Sequence, residues 1–353
     1  MNIWDWVLKA INELRAAGQD RLAEIMARLP SAVCDGDHAV AEAMIPEGLA
    51  LARAINSPWI EVYLRHWIAQ SRVSHRRDVT QGMSEVISLL EFAHTEAAAE
   101  CPQSICVTQD VCLAYAVLDG PGYARERLAV AAETMERINV RWPCFECIGS
   151  EYARALMALD RFAEAEQYCH DRMIEQAAIG TVGYDALGLY RVKAMIWQGR
   201  FADALDFLKT PLKDSANKSK HDRYTLLKCL AHAGLGQLEP ALACWRSHDR
   251  LSPSEYAMWA RCAFALCTLD PQRNHSALDE DFRQIIGELE RSGALYEQAE
   301  IGMTAAQLAA ARSDPDALAR HLAQVESVLP KLRRPEPIAV QWRQLKDESV
   351  RAD

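Results

Sequence analysis

The sequence predicts an all-α fold, an α-α superhelix (solenoid) of stacked antiparallel helix pairs, and three observations carry that prediction. Strand-type alternation is scarce, while Ala, Leu, Glu and Arg dominate. Helical periodicity runs along the chain, punctuated by a modest 16 glycines and 14 prolines. One spacing of small and bulky apolar residues recurs through the middle.

The recurring spacing is a triplet. Ala155, Phe162 and Ala165 form the first copy, Ala194, Phe201 and Ala204 the second, and Ala231, Leu238 and Ala241 the third. Ala116 and Tyr123 begin a degenerate copy in which Glu126 replaces the last alanine. The bulky positions 123, 162, 201 and 238 are 39, 39 and 37 residues apart. A small residue near the end of one helix lets the next cross closely, the bulky residue fills the wedge, and the second alanine is another crossing point. Two residues before each wedge stand Asp160, Gly199 and Gly236, which suit the left-handed turn that ends a helix. Such a pair cannot bury its apolar face alone, so it stacks on neighbours. A second echo, Ile55-Asn56-Ser57-Pro58-Trp59 against Ile138-Asn139-Val140-Arg141-Trp142, lies 83 residues on. Each copy reads as a helix end, a turn, and a Trp at the start of the next helix.

The segments Ala155–Ala165 and Ala194–Ala204 resemble the helix-turn-helix centre of a tetratricopeptide (TPR) repeat, and the likeness covers roughly residues 110–250. The longer 37–39-residue period resembles the sensor domains of maltose-regulator-type transcription factors, whose nucleotide-binding and DNA-binding modules have no counterpart here. The resemblance implies a TPR-like stack in which the first helix of each pair lines a concave groove.

The expected helices span 3–17, 20–29 and 37–55, followed by pairs at 59–73/79–98, 104–118/121–137, 144–159/161–178, 184–198/201–210, 221–235/238–248, 254–269/276–291 and 294–312/315–329. Leu278, Phe282, Ile285 and Leu289 form one apolar face in the later part. Pro330, Pro335 and Pro337 end the series, and 338–350 caps it. The chain is thus expected to be one domain, 1–353, with N-terminal capping helices at 1–58, helix-pair repeats at 59–329, and a C-terminal capping helix within 330–353. The loosest stretch is expected at Leu212–Lys220.

The 353 residues are half apolar and a quarter charged, with a formal net charge of −10. That charge opposes nucleic acid and anionic lipid and favours a partner with a basic surface. No apolar run is long enough to span a membrane, and the N-terminus shows no signal-peptide pattern. Eleven cysteines without an export signal point to free thiols in a reducing compartment, hence to the cytoplasm.

Candidate chemistry is sparse. Cys144 and Cys147 form a CxxC, which suits redox work or, with Cys169 and His170, a zinc site of unusual spacing. The favoured reading is two cysteines at a helix start, one of them packed. Arg72, Arg76 and Arg77 suit an anionic group or a polar turn. Lys209, Lys213, Lys218, Lys220 and Arg223 read as a solvated basic edge. No P-loop, HExxH, GxSxG or dinucleotide fingerprint is present, so no catalytic, metal or cofactor-binding residue is assigned.

Partner binding is instead expected at aromatic and polar residues on two first helices. Trp59, Tyr63 and Trp67 form a stripe at i, i+4 and i+8, with Arg65, His66 and Gln70 beside it, and Tyr190 and Trp197 lie two turns apart on a later helix. Such side chains either build the core or anchor an interface. The expected function is non-catalytic binding of a protein or peptide in the groove. Two specific alternatives are an immunity or antitoxin protein that neutralises a toxin, and an adaptor, chaperone or sensor that binds a peptide or small effector.

Overall fold

A computed structural model describes residues 2–142, 144–180, 186–209, 218–248, 252–271 and 276–352. The described residues are helical throughout, with no strand among them. The chain opens with α1 (Ile3–Ala16), α2 (Asp20–Cys34), α3 (His38–Ala54) and α4 (Pro58–Ala69), and α4 runs into a π-helical turn at Gln70–His75. After α5 (Val79–Ala93), pairs follow as α6 (Ser104–Asp119) with α7 (Ala124–Arg137) and α8 (Cys144–Met157) with α9 (Phe162–Ala178), and α10 (Ala186–Trp197) opens the next. Next come α11 (Phe201–Lys209), α12 (Lys218–Gly234), α13 (Leu238–Ser247) and α14 (Tyr256–Leu269). The last four are α15 (Ser276–Ser292), α16 (Leu295–Ala311), α17 (Pro315–Val328) and α18 (Glu336–Ala352).

The triplets occupy matching places. Ala155, Ala165, Ala194, Ala204, Ala231 and Ala241 all have 0% exposure, as close-crossing points require. Asp160, Gly199 and Gly236 all take positive φ, at 60°, 73° and 72°. After each, an amide reaches back to close the helix: Arg161 to the Leu156 carbonyl, Arg200 to Met195, and Gln237 to His232, at 3.0, 2.9 and 2.9 Å. The wedge residue also serves the next repeat. A Cβ on Gly234 of α12 would sit 2.5 Å from the Phe201 ring, so glycine makes room for the phenylalanine there. In the degenerate copy the turn is a 3-10 segment, Gly120–Tyr123, and the left-handed residue is Gly120. The second echo matches in position only: α3 ends through left-handed Asn56, whereas α7 ends with Ile138 extended at φ −92°, ψ 131°.

Two of the boundaries differ from the sequence expectation for identifiable reasons. α2 continues through Pro30 to Cys34. Proline has no N–H for the carbonyl four residues back, here that of Met26, and the Tyr63 hydroxyl donates to it at 2.9 Å. α5 stops at Ala93 rather than 98 because the His94 ring bonds the Leu90 carbonyl and the Thr95 hydroxyl bonds that of Phe92, at 2.8 and 2.7 Å. The 210–217 segment, which includes most of the stretch expected to be loose, lies outside the described residues.

The pairs do not run out in an open line. α6, α8, α10, α12, α14 and α16 each pack on the next, and α16 packs on α6. The circuit closes through specific contacts. Tyr296 lies against Gly120, where a Cβ would come within 2.4 Å of its ring. Arg77 pairs with Glu297 at 3.0 Å, and Thr80 donates to the Arg291 carbonyl at 3.3 Å. The Arg333 amide donates to Asp119 at 2.9 Å, while its guanidinium pairs with Glu126 at 2.7 Å over the Tyr123 ring. Helical periodicity carries no information about such contacts between residues some two hundred positions apart. α18 packs on α16 and α17, with the Trp342 indole donating to the Leu322 carbonyl at 3.0 Å. No helix among the described residues is long and apolar enough to cross a membrane.

One carboxylate ties the last repeats together. Asp279 of α15 meets Arg283 at 3.2 Å, Arg320 at 3.0 Å, the His321 ring at 3.1 Å and Arg312 at 3.9 Å. Burial pushes its carboxyl up, but His321, Arg320 and Arg283 outweigh burial and hold it below the usual aspartate range. A folded-state pKa below the unfolded one, about 3.9, stabilises the fold above that pH and is lost as pH falls through the folded value. Urea unfolding at pH 5 and pH 3 is expected to show a smaller acid-side loss of stability in Asp279→Asn than in the wild type. Equal losses would mean that the cluster does not couple folding to pH.

Candidate functional site

The circuit of helices surrounds an open cavity of about 1040 Å3. Its walls come mainly from α6, α8, α10, α12, α14 and α16, the first helix of each pair, joined by Ser74 and Arg77, Arg127 of α7, Phe162 of α9 and the start of α18. This follows from the repeat, because the second helices cover the first from outside and leave one face of each first helix turned inward. Aromatic rings, Tyr190 and Trp197 of α10, Tyr224 of α12 and Tyr296 of α16, alternate with charges around the wall. Arg77, Arg127, Arg154, Lys193 and Arg261 face Glu151, Asp160, Glu255, Glu297 and Glu300. Among the described residues the balance is five against five, in a chain of net charge −10.

Many of these charges are engaged with one another. Glu297 takes Arg77, Glu300 takes Arg261, and Glu151 lies between Arg154 at 3.4 Å and Arg127 at 3.6 Å. Glu255 closes the capping box of the 3-10 turn Pro253–Glu255 that leads into α14, accepting from the Ser252 amide at 3.1 Å. The second oxygens of Glu151, Glu255 and Glu297 are buried without a hydrogen-bond donor. Buried carboxylate oxygens are rarely left so, and each lies on a residue of the cavity wall.

The residues expected to bind a partner fall into two groups. Tyr190 and Trp197 line the cavity, Tyr190 beneath the Lys193 ammonium at 5.0 Å and Trp197 beneath the Arg261 guanidinium at 4.9 Å. The six residues of α4 and its π-helical turn do not join them. Trp59 and Tyr63 pack edge-on against Trp6, each at 6.0 Å, and Trp67 packs against Trp4 at 6.4 Å. Tyr63 is fully buried. Arg65 bonds Glu85 at 2.8 Å and Ser88 at 2.9 Å beside Phe92. His66 and Gln70 both bond the buried Asp110 of α6, at 2.7 and 2.5 Å. The stripe is the seam that fastens α1 and α6 to α4.

The other motifs are equally occupied. Arg72 and Arg76 both reach Glu42, at 3.4 and 2.7 Å, and Arg77 is on Glu297. Cys144 is the first residue of α8 and meets Cys106 of α6, whose thiol is pushed well up by Cys144 beside it and by burial. Cys147 is on the cavity wall, while Cys169 packs against Ala153 and Leu187. Among the described residues no three His, Cys, Asp or Glu side chains are placed to share a metal ion. Lys209 pairs with Asp206. Lys213 lies outside the described residues, as do the side chains of Lys218, Lys220 and Arg223.

Sequence reasoning missed Arg127, Glu151, Arg154, Glu255 and Glu297. Glu151 and Arg154 stand one turn apart on α8, which marks one helix face but not which way it points. Compared with known proteins, the chain matches no family model and no curated protein.

The Tyr63–Met26 bond gives the α4 stripe a measurable structural role. Tyr63→Phe is expected to cost about 1–3 kcal/mol by orphaning a buried carbonyl. In a Pro30→Ala background the residue 30 amide can donate to that carbonyl, so the cost should shrink. A urea double-mutant cycle reads the difference, and equal costs in both backgrounds would contradict the assignment.

Proposed function

We propose that the chain is a non-catalytic binding protein of TPR-like repeats, a superhelix closed on itself, that takes a short peptide segment or small polar effector into the cavity. The observation that carries this reading is the cavity wall: the first helix of every pair from α6 onward contributes to it. At about 1040 Å3 the space is at the upper end for small-ligand sites, roughly 300–1,000 Å3, and too small for a folded domain. Alternating aromatic and charged groups suit an occupant with both apolar and polar surface. Of the alternatives, the cavity favours a sensor or adaptor. The net charge of −10 favours a second reading, an immunity protein that steers a basic toxin to its outer surface. Co-expression with such a toxin would test it by rescue of growth.

Selection of a random peptide library on the full chain tests the leading reading. Recovered peptides are expected to bind at least tenfold more weakly to Tyr190→Ala and to Trp197→Ala, while Trp59→Phe leaves their affinity unchanged. Binders indifferent to both cavity substitutions, or no binders at all, would count against it.

A further inference from the structure

On one wall of the cavity three cations gather around Tyr190. Arg127 of α7 is only 3% exposed. Its Nη1 donates to the Gly120 carbonyl at 3.2 Å, but its Nε and Nη2 have no hydrogen-bond acceptor. Glu151 Oε2 is 3.6 Å from Nη2, beyond hydrogen-bond reach. Arg154 makes a 3.4 Å bond to the other oxygen of Glu151, a long contact for a charged pair. Lys193 stands over the Tyr190 ring at 5.0 Å, and Tyr190 lies within electrostatic reach of both Arg127 and Arg154. Glu297 also reaches Arg154 electrostatically but is paired with Arg77.

Arg127 and Arg154 therefore share the carboxylate of Glu151 on this wall. A buried guanidinium with idle donors is costly, and the cost falls when an anion supplies acceptors. We propose that the occupant of the cavity presents an oxyanion, a carboxylate or a phosphate, to Arg127, Arg154 and Lys193, with the Tyr190 hydroxyl as a further donor. This rests on the cavity being the binding site and names the group that the site selects. Carboxylate and phosphate share the planar or tripodal acceptor geometry that guanidinium groups match, so the chemistry is one and its source is for the experiment to separate.

The test titrates the full chain with inorganic phosphate and, separately, with glutarate, holding ionic strength constant with sodium chloride. Thermal unfolding and calorimetry are the readouts. At least one anion is expected to raise the unfolding midpoint saturably, with one bound per chain, and the stronger of the two identifies the source. Lys193→Gln, at a half-buried position where folding is least at risk, should weaken the apparent Kd about tenfold. Arg154→Gln should do the same, Arg154→Lys should restore part of the loss, and Arg200→Gln, outside the cavity, should change nothing. No saturable shift with either anion, or unchanged affinity in Lys193→Gln and Arg154→Gln, overturns the proposal. Library peptides that bind through Tyr190 and Trp197 with no anion response would sink the oxyanion site alone. A site-specific anion response without any peptide binder would sink the peptide occupant alone.

Discussion

The cavity depends on one long-range contact, the start of α16 against the turn that ends α6. Gly120 is central to it. Its φ of +47° already disfavours any side chain, and Tyr296 fills the space that a Cβ would need. Around this point Arg77 with Glu297 and Arg333 with Asp119 and Glu126 supply charge pairing across the seam. Without that contact the first helices would present an open concave face. With it they surround an open cavity.

The repeat geometry makes such a closure possible. Six alanines with no exposed surface let the paired helices cross closely, and left-handed Asp160, Gly199 and Gly236 end α8, α10 and α12 at the same point. A pair of fixed shape, repeated, turns through a fixed angle each time. The chain then meets itself after six first helices, and α18 and the α1–α4 group lie outside the circuit, each packed on one part of it.

Much of the local structure was legible in the sequence. The alanine–wedge–alanine spacing gave the pairs, and Asp160, Gly199 and Gly236 gave their turns, because both are short-range matters of size and backbone freedom. One exception has its partner far away. Pro30 marks a helix end by propensity, yet Tyr63, more than thirty residues on, satisfies the carbonyl it leaves free. The candidate site was legible only in part. Tyr190 and Trp197 reach the cavity, whereas Trp59, Tyr63 and Trp67 turn toward Trp4 and Trp6. An aromatic stripe at helical spacing shows which residues share a face, not what that face meets. Arg127, Glu151 and Arg154 looked like ordinary helix-surface charges because only the closed circuit puts them inside.

Small-angle X-ray scattering of the full chain in solution tests the closed circuit most directly. For 353 residues folded compactly, the radius of gyration should be roughly 20 Å, with a pair-distance distribution that falls to zero without an extended tail. A clearly larger radius with a long tail would describe an open stack of pairs and would contradict the closed circuit.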